Sequence, residues 1–107
     1  MAVRKRILVE TLAANRTITA AEFSKYEIFA FDPGGAARDV TLPTEAASGG
    51  TSSMAVEITI LNAADAAEVI TIKNDAGTGL TGATPTQAEG SIVTCDGTSW
   101  WAIGTTT

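Results

Sequence analysis

Apolar and polar positions alternate through most of this chain, and the alternation has the period of strands. Ile58-Thr59-Ile60-Leu61-Asn62 and Ile70-Thr71-Ile72-Lys73-Asn74 are near repeats, with isoleucines two residues apart and a threonine between them. Successive residues of a strand point to opposite faces, so such isoleucines share one face. Their β-branched side chains suit a pleated surface better than a helix. The short connection Ala63–Val69 predicts that the two segments are central antiparallel neighbours.

The same pattern places the other elements. Ile7-Leu8-Val9-Glu10-Thr11-Leu12 can be a first strand or an extended arm, and Thr17-Ile18-Thr19 is a short strand. Thr19-Ala20-Ala21-Glu22 has the spacing of a capping box, which predicts one helical turn through Phe23-Ser24-Lys25. Tyr26–Phe31 is a strand with Phe29 and Phe31 on one face, stopped by Asp32-Pro33-Gly34-Gly35. Those paired glycines lack the spacing of a phosphate-binding or dinucleotide-binding loop. Arg38–Leu42 points Val40 and Leu42 inward, and Pro43 ends it. Thr44–Ser53 reads as a surface contact loop, and the run from Leu80 to Gln87 as irregular. Asp96-Gly97 between two strand-like runs is a hairpin signal. In the second run Trp100 and Trp101 must face opposite ways, one sealing the core and one left outside.

These elements predict an all-β fold: a small antiparallel sandwich or barrel, jelly-roll-like, of about six to eight short strands. Its organisation is an N-terminal extended arm over residues 1–12 and a single β domain over residues 13–107. The 107-residue length fits one domain. Aromatics are only 6% of the chain, so its core is built from small side chains and is thin.

Charge and residue inventory narrow the chemistry. The net charge is −5, which does not favour nucleic acid, whose phosphates need clustered Lys and Arg. The exception is Arg4-Lys5-Arg6, followed by the apolar Ile7 and Leu8. These five residues are the candidate partner-binding positions, either as a solvated terminus or as an arm docking on an acidic surface. With no histidine and one cysteine, Cys95, neither a disulfide nor a usual zinc site can form within the chain. Cys95 reads as a small buried hydrophobe. No catalytic residues are assigned: Asp32, Asp39, Asp65, Asp75 and Asp96 occupy ordinary turn or surface positions without a nucleophile or base beside them. No cofactor and no metal are expected. No apolar run approaches the ~20 residues of a membrane span. The apolar stretch after the first basic residues is cut short by Glu10, so no signal peptide develops.

One resemblance covers roughly residues 12 to 103. Asn15-Arg16-Thr17-Ile18-Thr19, Arg38-Asp39-Val40-Thr41-Leu42-Pro43, the ITILN and ITI segments, Gly90-Ser91 and Cys95-Asp96-Gly97-Thr98-Ser99-Trp100 follow one another in this order. In this the chain resembles the small β-domains of bacteriophage head decoration (cement) proteins and of some phage fibre and tail proteins. The resemblance implies a structural virion protein, made in the host cytoplasm and bound to the outer surface of an icosahedral capsid. Its implied partners are the major capsid protein and itself, as a homotrimer at threefold points. Two alternatives stay open. One is a tail, fibre or baseplate accessory domain; the other is a carbohydrate-binding β-sandwich using the outward tryptophan.

Overall fold

In a computed structural model, residues 4–103 are described. The strands are β1 (Ile7–Thr11), β2 (Arg16–Thr17), β3 (Ile28–Asp32), β4 (Arg38–Thr41), β5 (Val56–Asn62), β6 (Ile70–Lys73), β7 (Gly90–Cys95) and β8 (Trp100–Ile103). One helix, α1 (Ala20–Lys25), and one 3-10 turn, Ala46–Ser48, complete the elements among the described residues.

The strands form a five-stranded sheet in the order β1-β3-β5-β7-β8 and a three-stranded sheet in the order β2-β4-β6. β1, β3 and β5 run parallel, as do β2, β4 and β6. From β1 to β6 the chain therefore crosses between sheets after every strand and winds three times around one core. β7 then returns antiparallel to β5, and β8 antiparallel to β7.

This corrects the expected all-β antiparallel sandwich or barrel. Over the described residues the protein is a small mixed α/β fold of eight strands in two sheets, and the larger sheet is itself mixed. The expected hairpin of the two isoleucine segments is also corrected, because they are β5 and β6, in different sheets. The physical reason lies in Asn62. Its side chain is buried and donates through Nδ2 to the carbonyls of Glu68 (2.8 Å) and Pro85 (3.0 Å). Its Oδ1 accepts from the Ala64 amide at 2.9 Å. Asn62 thus satisfies the backbone of a corner, and the chain turns out of the sheet instead of folding back on it.

Corners of successive windings stack. The Leu12 amide donates to the Asp32 carbonyl at 2.7 Å, and the Ala63 amide to the Phe31 carbonyl at 2.8 Å. In the middle corner Gly34 has φ +76°, and a Cβ there would lie 2.2 Å from the Leu12 carbonyl oxygen. Glycine is required here both for backbone conformation and for space.

The core lies between the sheets. Phe29, Phe31, Ile58 and Ile60 enter from the larger sheet, and Val40, Ile70 and Ile72 from the smaller. Several expectations hold. The capping box at Thr19 and Glu22 is formed, with the Glu22 amide donating to Thr19 Oγ1 at 3.1 Å and the Thr19 amide to Glu22 Oε1 at 3.0 Å. The Asp96-Gly97 hairpin is present, with Cys95 opposite Trp100, and Asp96 Oδ1 accepts from the amides of Thr98 and Ser99. Those amide bonds hold the Asp96 carboxyl below its usual range. Cys95 is buried. Thr44–Ser53 contains the 3-10 turn, and its backbone closes on the hairpin where Gly50 meets Gly97.

Gly77 provides a control for Gly34, with φ +85° and open space where a side chain would begin. Both Gly→Ala substitutions meet the left-handed strain of about 1–2 kcal/mol. Gly34→Ala adds a backbone clash of about 1–3 kcal/mol. Urea denaturation should therefore show Gly34→Ala to be clearly less stable than Gly77→Ala. Equal midpoints would contradict the stacked corner.

Candidate interaction face

The two sheets differ on their outer sides. On the smaller sheet the outward residues of β4 and β6 are polar: Asp39, Thr41, Thr71 and Lys73. Lys73 Nζ lies 2.8 Å from Asp39 Oδ2 across that surface. This is the usual face of a sheet in water.

The outer side of the larger sheet is mixed: Glu57, Thr59 and Thr94 lie on it together with large apolar residues. Its register aligns Ile7, Ile28, Thr59, Ile92 and Ile103 in one outward row across all five strands. A second outward row joins Val9, Ala30 and Leu61, in which Val9 is exposed, Leu61 half-buried and Ala30 buried. Trp101 stands outward on β8, 58% exposed, as is Ile103. Strands that are apolar on both sides, such as Ile28-Phe29-Ala30-Phe31 and Trp100-Trp101-Ala102-Ile103, are those of sheets covered on both faces. Here only the inner face is covered by described residues. The outer apolar rows are the kind of surface that marks an interaction site.

The tryptophan pair divides as expected. Trp100 is buried, donates Nε1–H to the Pro43 carbonyl at 3.1 Å, and meets Phe23 edge-on with centroids 5.4 Å apart. Trp101 lines a cavity of about 350 Å³ together with Trp100, Ala102 and the segment Gly79, Leu80 and Thr81.

The predicted partner-binding residues are not brought onto one surface. Arg4, Lys5 and Arg6 are exposed ahead of β1. Arg6 pairs with Glu27, its backbone amide also donating to Glu27 Oε1 at 2.8 Å. This hydrogen bonding lowers the Glu27 carboxyl and raises the Arg6 guanidinium. Ile7 joins the outward row, but Leu8 turns inward and packs against the core. The segment Ile7–Thr11 is strand, the first of the two forms the sequence allows.

Sequence reasoning missed Arg16, which closes the open end of the winding. It takes the inward position beside Val40 on β2, with its guanidinium 5.5 Å from the centre of the Phe31 ring. Arg16 Nε donates to Glu10 Oε2 at 2.9 Å and Nη2 to Glu22 Oε2 at 2.7 Å, while Nη1 donates to the Thr17 carbonyl at 2.8 Å. One guanidinium thereby ties β1, β2 and α1 together. The hydrogen bond from Arg16 draws the Glu22 carboxyl down to about 2.

Asp32, Asp65 and Glu68 each place a carboxylate oxygen within 4.8 Å of the others. Their donor set suits a hard, oxygen-seeking cation. Among the described residues no helix is long and apolar enough to cross a membrane. Comparison with known protein families, curated proteins and solved structures finds no match to this chain.

Replacing Arg16 by Met removes charged hydrogen bonds and should cost about 2–3 kcal/mol in urea denaturation. A carboxyl depressed in the folded state contributes stability above its unfolded value and loses it as pH falls through the folded one. The gap between the wild type and Arg16→Met should thus narrow as pH drops from above 4.5 toward about 2. A gap independent of pH would separate Arg16 from Glu22.

Proposed function

We propose that this protein is a structural virion component, a decoration protein that lays the outer face of its five-stranded sheet on the outside of a phage capsid. The observation that carries this reading is the contrast between the two sheets. The smaller sheet presents threonines and an ion pair to water, and the larger presents Ile7, Val9, Trp101 and Ile103. Removing that area from water contributes roughly 25 cal/mol per Å² before the costs of association. An exposed tryptophan in such a patch has the character of a binding hot spot. The phage assignment itself comes from the sequence resemblance.

In this reading Arg4 and Lys5, exposed ahead of β1, and Arg6, held by Glu27, steer the protein toward acidic shell surface. Ile7 contributes its side chain to the contact, and Leu8 supports it from below. Repetition of the same modest contact by shell symmetry multiplies its strength. The chemistry needed is adhesive rather than catalytic.

A second reading is favoured by one feature. Trp101 beside its cavity offers an indole face of the kind that stacks on a sugar ring. Carbohydrate binding would show as hits on a glycan array that Trp101→Ser abolishes.

The docking reading is tested by mixing the purified protein with undecorated expanded shells. Trp101→Glu and Ile103→Lys alter side chains that are each 58% exposed, so the fold should survive. Each should weaken occupancy roughly thirtyfold, the equivalent of about 2 kcal/mol. Wild-type occupancy by both variants would remove this face from the account.

A further inference from the structure

We propose that the free edge of β1 pairs with β1 of a second copy of this chain, antiparallel and centred on Val9, joining two five-stranded sheets into one. Among the described residues β1 bonds to β3 alone. The Arg6 carbonyl accepts from β3's side of the pair, and the Leu12 amide donates to the Asp32 carbonyl. Backbone groups alternate along a strand, so the even-numbered residues serve β3 and those of Ile7, Val9 and Thr11 point away from it.

The other edges are less available. Along β6, Leu80 donates to the Ile72 carbonyl, and Ile70 and Ile72 donate to the Pro85 and Ala83 carbonyls. β8 shares a cavity with Gly79, Leu80 and Thr81, which lie close to it. β2 is only two residues long. Natural edge strands are blunted by outward charge, proline or a bulge. The residues of β1 whose backbone is free are Ile7, Val9 and Thr11, and none of them is charged.

The occupant is a second copy because this strand is complementary to itself. A twofold axis at Val9 places Ile7 opposite Thr11, Leu8 opposite Glu10 and Arg6 opposite Leu12. No like charges face each other, and Glu10 is already neutralised by Arg16. The free groups of all three odd residues then gain ladder partners. Val9, 70% exposed in one copy, meets its equivalent directly. The pairing also continues the outer apolar rows from one copy into the next.

Sedimentation equilibrium of the full chain, without any shell, reads the proposal separately from the docking face. The expected mass is twice 11.0 kDa. Val9→Lys, which charges the edge, should return the mass to a single chain with an unchanged circular dichroism spectrum. Mixed labelled and unlabelled wild-type chains should also give intermolecular nuclear Overhauser contacts between Ile7 and Thr11. A monomer, a trimer of the kind the resemblance implies, a dimer that survives Val9→Lys, or absent Ile7–Thr11 contacts would overturn it.

Discussion

Each of the first six strands ends by leaving its sheet, so no strand among them bonds to its neighbour in sequence. A single winding cannot satisfy its own backbone and depends on the next winding for every ladder bond. That constraint organises the molecule. It requires corners that turn the chain without orphaning polar groups, which Asn62 achieves with three side-chain hydrogen bonds. It requires a glycine where two corners touch, at Gly34. It also leaves the first winding without a preceding one to pack on, where Arg16 covers Phe31 and no described strand bonds to the outer edge of β1.

The strands themselves were legible in the sequence, because face alternation is a local property. Ile58 and Ile60, or Ile70 and Ile72, announce an inward side wherever their strands are placed. Which strand lies beside which is not local. ITILN and ITIKN look like hairpin arms because their isoleucines match, yet the match arises from facing one core from opposite sheets. The antiparallel reading failed there and succeeded at Asp96-Gly97. Only at the latter is the connection itself a turn with its own bonding, through Asp96 Oδ1.

The candidate face was partly legible for the same reason. Adjacent Trp100 and Trp101 must point apart, so one exposed indole was certain once a strand was recognised. The row from Ile7 through Ile28 and Ile92 to Ile103 was hidden, since it exists only when five strands take this register. Arg16 gave no signal of its kind. Its partners are each six residues away, Glu10 before it and Glu22 after it, and only the first winding brings both carboxylates to one guanidinium. Glu22 was visible as a capping residue, and its second task was not.

One sheet is polar on its outer side and the other exposes Ile7, Val9, Trp101 and Ile103, and in the proposed docking role that difference gives the contact its direction. Tryptophan emission measures that direction without altering a residue, since Trp100 is buried throughout and Trp101 alone meets water. Acrylamide quenching should be substantial for the free protein and should fall, with a blue shift, when expanded undecorated shells are added. Quenching and emission unchanged in a protein shown to be bound would contradict the claim that the five-stranded face makes the contact.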